Sequence, residues 1–331
     1  MTRTQSALIA ASLVVSLLFG YVAVRDAHPR QTLDALGATD IGWLLPAFAL
    51  LVLAFFLRAI RWWSLFPRQT RPSLRAVTAA LFVGYLANTV LPLRAGDAAA
   101  VVALNRRTGR TIAETTGTML VQRAQDVLSL VLLLFLMLPW LPHVSWLRVA
   151  GTLGIVLLGL LAVVAVVVTR FGDSVVRPLL RPLRSLPFVA ADALERAPTQ
   201  FVQGLAGVVR PRVALASFAW TTASWIVVGA AYWFVLEATG IELSPLAGLL
   251  VVIGIGLAMI LPSSPAALGV FEGATVVVLA AYNVAASTAL SYALVLHALN
   301  VVPLLVVGLV LLGRRQLTLR SDAPASSAAR V

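Results

Sequence analysis

Residues 86–104, LANTVLPLRAGDAAAVVAL, form an apolar stretch broken in its middle by Pro92 and Gly96, and the break carries Arg94 and Asp97. A second stretch, GLAMILPSSPAALGVFEGATVVVLA at 256–280, is broken by Pro262, Pro265 and Gly269 and carries Glu272. Few folds accept such segments. A hydrocarbon layer tolerates unwound backbone only where it is buried in protein or lines a wet cavity. Charged groups at that depth cost about 2.5–3.5 kcal/mol each on insertion scales, so they face one another or a substrate. Gly/Pro-interrupted segments in matching positions of two halves point to a transporter's binding site.

The rest of the chain fits a membrane. It is 60% hydrophobic and 11% charged with a mean hydropathy of +0.95, which selects a multi-spanning helical protein over a soluble domain. The absence of cysteine removes disulfides, thiolate metal sites and cysteine nucleophiles, and His28, His143 and His297 are too scattered for a histidine metal cluster. All 25 basic residues are Arg, and most lie in short loops between apolar runs. The positive-inside rule produces that pattern, with anionic lipid head groups rather than nucleic acid as the partner. Arg3 ahead of the apolar run Ala7–Val24 reads as the flank of an uncleaved first helix.

Charge then sets a topology. Spans are expected at about 6–24 and 42–60, with 25–41 a loop on the outside. Arg58, Arg61, Trp62 and Trp63 read as an interfacial belt beside a basic edge that continues through Arg68, Arg71 and Arg75. Arg106, Arg107 and Arg110 follow the first broken stretch and are also basic and acid-free, so both loops belong inside. The arms 76–90 and 97–104 would be about 22 Å and 12 Å long as helix, and the second cannot cross a core of about 30 Å. A re-entrant hairpin over about 76–104 satisfies both constraints.

A third span, 111–138, carries a polar stripe of Thr111, Glu114, Thr115, Thr118, Gln122, Gln125 and Asp126, flanked by Arg123, and is expected to line a water-accessible path. Glu114 is expected to snorkel to the surface. A fourth span at about 146–169 leads to a cytoplasmic loop, 170–212, with seven Arg. A fifth span covers 213–236, a second hairpin entered from outside covers about 245–282, and a last span runs about 286–312 before a disordered tail, 314–331. The resulting fold class is all-α integral membrane: an inverted-topology repeat, 1–140 and 141–313, with about six full spans and two re-entrant hairpins whose tips meet near the midplane. Both termini fall on the cytoplasmic side of a bacterial inner membrane.

At the first tip, Asp97 is a natural N-cap, and a half-helix N-terminus beside Arg94 makes an anion site that suits phosphate. Arg94 could instead pair internally with Asp97 or Asp126. Arg123 and Asp126 sit mid-depth on the third span. Glu272 opens the arm after Gly269 either as a first-turn acid or as a titrating carboxylate opposite Arg94. Candidates for lining the same space are Asn88, Gln122, Ser263, Ser264, His297 and Asn300.

These residues carry a resemblance. LPLRAGD, a basic stretch, a QRAQD-type span and a later PAALGVFEG resemble the lysylphosphatidylglycerol synthase transmembrane region family, the flippase-like domain, over about residues 10–313. The family usually has Glu where this chain has Asp97. The resemblance implies a standalone lipid-translocating or lipid-binding protein without the soluble aminoacyl-transferase domain. It also implies Arg94, Gly96, Asp97, Arg123, Asp126, Gly269 and Glu272 as functional positions. The expected activity is movement of a phosphate-bearing lipid between leaflets, needing no cofactor, with a proton or ion as candidate coupling species and a homodimer as a candidate assembly. No GxxxxGK[ST] stretch occurs. The alternatives are an integral-membrane enzyme acting on a lipid phosphate, an accessory subunit of a glycosyltransferase, or a structural partner in a membrane complex.

Overall fold

The computed structural model describes residues 3–91, 95–142, 210–259, 261 and 263–321, with isolated positions between 149 and 205. Among them there are only helices and the turns that join them. The helices are α1 (Arg3–Val24), α2 (Pro29–Gly37), α3 (Ile41–Ser64), α4 (Leu74–Val90), α5 (Gly96–Thr108) and α6 (Ile112–Met137), then α7 (Pro211–Ala238), α8 (Pro245–Ala258), α9 (Val270–Ala280) and α10 (Ala286–Ser321). Four are long and apolar enough to cross a membrane, five if α1 and α2, bent by 81°, count as one broken span. The expected fourth span and the loop 170–212 fall almost wholly outside the described residues. Residues 29–37, read from sequence as loop, are helical. The last helix continues to Ser321, past the expected end of the final span.

Local chemistry accounts for the ends. Asp40 caps α3 by accepting the Gly42 N–H at 2.8 Å, Ser73 caps α4, and Thr111 caps α6. Pro29, Pro211 and Pro245 open their helices, where a missing N–H costs nothing. Gly109, at φ +70°, closes α5 in the left-handed conformation.

Helix ends gather at two poles. Phe66 lies under Arg110 at 4.8 Å, Arg71 stacks on Trp63 at 4.2 Å, and Trp63 donates to the Pro72 carbonyl. The end of α3, the start of α4, the end of α5 and the start of α6 therefore share one basic pole. Desolvation, then the charge of Arg68, lowers the pKa of Arg71 there. At the other pole the Asp40 N–H donates to the Ala238 carbonyl at 2.8 Å, and Ser287 joins His28 and Gln31. That pole collects α2, the start of α3, the end of α7 and the start of α10. α4 and α5 thus leave the basic pole and return to it, packed side by side through Gly84, Gly96 and Ala100. α8 and α9 fold back on each other through Gly254 and Val278. The 3-10 turn between them, Pro265–Ala267, lies against α4.

Two apolar cores hold this arrangement. One packs Trp62, Phe66, Val77, Leu81, Leu104 and Met119 at the basic pole; the larger joins α6 to α10 around Leu134, Leu236, Ile253, Leu279, Tyr292 and Leu296. Many other apolar side chains, including Leu17, Leu45, Leu215 and Leu309, face outward as a belt. Such a belt is what a chain of this composition presents to lipid.

Candidate functional site

Between the two cores lies a cavity of about 670 Å³, bordered by the breaks in both interrupted stretches. Its first wall is a chain of charges. Asp97, in the first turn of α5, pairs with Arg123 of α6 through both carboxylate oxygens, with Nε to Oδ2 at 2.8 Å. Arg123 also reaches the Asp126 Oδ2 at 3.2 Å. The other oxygen of Asp126 takes an ion pair from Arg61 of α3 and an N–H from the Trp225 indole at 3.2 Å. Arg61 donates again to the Gln122 carbonyl oxygen at 2.9 Å. Arg61 is 4% exposed and Asp126 7%, so this pair is fully desolvated, while the Arg123 side chain is 47% exposed towards the cavity.

Arg58 lines the same wall one turn earlier on α3, held by the Tyr85 hydroxyl at 2.9 Å and by the Trp225 ring 4.6 Å away. Charged groups this deep persist only when each has a partner. A bidentate guanidinium–carboxylate pair is the strongest such arrangement side chains make.

The second wall comes from α9, α10 and the turn before α9. Glu272 accepts the Gly269 N–H at 2.7 Å and pairs with His297 Nδ1, whose ring lies on Phe271 at 4.6 Å. Asn300, one turn on from His297, donates to the Leu296 carbonyl at 2.8 Å and hydrogen-bonds the Tyr232 side chain. Ser263 is 1% exposed and its hydroxyl has no partner among the described residues. Ser264 is fixed from α1 by its N–H donating to Ser16 Oγ at 2.9 Å. Ala266 and Ala267 both have positive φ, 54° and 58°, a conformation that costs an alanine about 1–2 kcal/mol. Strain of this kind gathers at functional breaks.

Two glycines let the walls close up. A Cβ on Gly96 would fall on the Gly84 carbonyl oxygen and on Asn88, whose own carbonyl oxygen accepts the Gly96 N–H at 2.8 Å. Gly269, at φ +83°, sits against the Ser16 carbonyl with no room for a side chain.

The structure thus gathers Asn88, Asp97, Gln122, Arg123 and Asp126 on one wall and Ser263, Ser264, His297 and Asn300 on the other, all lining the cavity. Gly96, Gly269 and Glu272 shape its edges. Arg94 lies outside the described residues, so its pairing with Glu272 is not placed. Several expectations change. Asp97 does not cap α5, because its carboxylate is taken by Arg123 and Asn88 meets the first free N–H instead. Arg61 and Trp62 are no interfacial belt: Trp62 is buried, bonded to Thr118 at 3.0 Å, because α7 and α6 cover that end of α3. Much of the α6 stripe is taken up inside the protein: Thr111 and Thr115 bond within the first turn of α6, Thr118 accepts from Trp62, and Gln125 donates to Ser217 at 2.7 Å. Of the stripe only Gln122 and Asp126, with the flanking Arg123, reach the cavity. Glu114 pairs with Arg110 instead of snorkelling.

Arg58, Arg61, Tyr85, Trp225 and Tyr232 were missed. The available signal was the spacing of Arg58 and Arg61, three apart on one helical face, with tryptophans after them that keep the helix going.

Over 336 aligned residues the chain is 25% identical to glycosyltransferase AglD of Haloferax volcanii; the match covers 90% of this chain and 53% of that protein, so the chain spans about half its length. Residues 9–308 match the lysylphosphatidylglycerol synthase TM region. With nine-tenths of its length inside that match and its apolar helices built to cross a bilayer, the chain is a multi-pass membrane protein of the lysylphosphatidylglycerol synthase transmembrane-region family.

Proposed function

We propose that this protein moves a phosphate-bearing lipid between membrane leaflets, passing the head group through the cavity while the tails stay in the bilayer. The observation that carries the reading is the cavity itself: a largely apolar space with charged and polar side chains on facing walls, bordered by two broken helical segments inside an apolar belt. α4–α5 and α8–α9 act as hairpins inserted from opposite faces, related as an inverted repeat. The basic pole is cytoplasmic by the positive-inside rule, which puts both termini on the cytoplasmic side of the bacterial inner membrane. Arg123 with Asp97 forms the mobile rim of the site. Its pair is bidentate yet open to the cavity, so an incoming phosphate can compete for the guanidinium. Arg61 with Asp126 is the fixed brace behind it, and Glu272 with His297 is the group placed to take up a coupling proton.

Reconstitution into liposomes tests this. Fluorescent lipids of differing head group should cross leaflets with wild-type protein, and Arg123→Gln should slow crossing at least tenfold. Crossing rates equal to those of protein-free liposomes, or identical rates for the variant, would sink the assignment.

A second reading, a membrane enzyme or accessory subunit acting on lipid-linked glycans, is favoured by the likeness to a protein named a glycosyltransferase. Sugar transfer or release of inorganic phosphate by the purified chain would select it. In its disfavour, both carboxylates of the first wall are held by guanidinium groups rather than left to a metal or a reacting group.

A further inference from the structure

The three arginines of the first wall are not equivalent. Arg61 is spoken for by Asp126 and Gln122, and Arg123 by Asp97 and Asp126. Arg58 has no carboxylate within ion-pair distance among the described residues. Among the described residues of this wall, three guanidinium groups therefore face two carboxylates, which leaves one positive charge. That surplus sits on a side chain that lines the cavity.

Its surroundings aim it. The Tyr85 hydroxyl takes one Nη1 hydrogen, and the Trp225 ring covers one face of the guanidinium at 4.6 Å. No hydrogen bond from Nε or Nη2 is formed among the described residues, so donors remain for a ligand. Trp225 is itself fixed, since its indole N–H is given to Asp126. A flat cation clamped on one face, steadied at one nitrogen and open at the others is preorganised for a tetrahedral oxyanion.

We propose that Arg58 is the anion receptor of this cavity, and that it takes a singly charged phosphate ester. Charge selects the class. One surplus positive charge is neutralised by one phosphodiester, whereas a doubly charged monoester would leave an uncompensated negative charge in a desolvated space. Tyr85 is a positioning residue that acts through Arg58. The inference rests on reading the cavity as a head-group passage, but it can fail separately.

The test is binding by calorimetry to the purified full-length protein. The probes are dihexanoyl phosphatidylglycerol, glycerophosphoglycerol (the same phosphodiester without tails), and dihexanoylglycerol without phosphate. Arg58→Gln should weaken phosphatidylglycerol binding about tenfold or more, as expected for losing a charge-assisted contact, and leave dihexanoylglycerol binding unchanged. Arg58→Lys should recover part of the loss, because it restores charge without the fork. Tyr85→Phe should weaken binding by a smaller factor with the same dependence on phosphate. Equal affinity of wild type and Arg58→Gln for phosphatidylglycerol, an equal loss for dihexanoylglycerol, or no binding by wild type would each overturn the proposal. Glycerophosphoglycerol bound as tightly as the lipid, and lost with Arg58, would keep the receptor and assign it to soluble phosphodiesters. Arg58-dependent binding without leaflet crossing in liposomes would likewise keep the receptor and defeat the transport reading alone.

Discussion

Asp126 holds more of this protein together than any other single charge on the first wall, because it accepts from Arg61, Arg123 and Trp225 at once. Removing it by Asp126→Ala leaves Arg61 desolvated with only Gln122 and a long 3.5 Å contact to Thr221, while Arg123 keeps its pair with Asp97. Breaking a buried pair by deleting one partner costs about 3–5 kcal/mol. Arg61→Ala should cost less, since Asp126 keeps Arg123 and the indole. Denaturant titration of the purified variants followed by tryptophan fluorescence will order them, with Asp126→Ala the more destabilised. The reverse order would mean that Arg61, not Asp126, is the centre of the network. None of this could be read from the residues alone: Arg61 lies 65 positions from Asp126 and ends an apolar run, where an arginine ordinarily marks the membrane edge. What decided otherwise is tertiary cover by α7, a feature that local patterning does not encode.

Helical segments depend on close approach where the chain is broken. The site's two broken stretches were legible because proline, glycine and charge interrupt apolar sequence at 92–97 and 262–272, and both interruptions border the cavity. Their supports were not. Asn88 meets the Gly96 N–H across the break, and Ser16 of α1 meets the Ser264 N–H from 248 residues away. A glycine in a sequence says that something comes close without saying what. Gly269→Ala combines a left-handed φ of +83°, worth about 1–2 kcal/mol against any side chain, with a collision against the Ser16 carbonyl. Gly96→Ala meets the Gly84 carbonyl with no compensating freedom. Both should lower the thermal midpoint in detergent clearly. Gly37→Ala is the matched control: nothing lies within 4 Å of its Cβ, and alanine favours helix by about 0.5–1 kcal/mol. It should leave the midpoint unchanged or raise it. A Gly269→Ala protein as stable as Gly37→Ala would show that α1 and the second break do not pack as described.

At the scale of the whole molecule, the arrangement of poles makes a prediction that neither the residues nor the separate helices make. If α4–α5 and α8–α9 each enter and leave by one face, then positions on either side of a hairpin must be reached by the same aqueous compartment. A crossing segment would place them on opposite sides. The chain contains no cysteine, so single introduced cysteines report without background. Gln69 and Arg107 are exposed at the basic pole, before α4 and at the end of α5. Glu242 and Asn283 are exposed at the other pole, before α8 and after α9. In intact cells a membrane-impermeant maleimide should label Glu242→Cys and Asn283→Cys, while Gln69→Cys and Arg107→Cys should react only after the membrane is opened. The sign of the assignment follows from charge. Arg68, Arg71, Arg75, Arg106, Arg107 and Arg110 crowd the first pole, while Asp26, Asp34, Asp40, Glu237 and Glu242 weight the second. Labelling of all four in the reversed compartments would invert the protein and keep the hairpins. Labelling of Gln69→Cys and Arg107→Cys from different sides would make α4–α5 a crossing pair. The first break would then have no reason to lie opposite the second, and the cavity would lose the two-sided access that movement of a head group between leaflets requires.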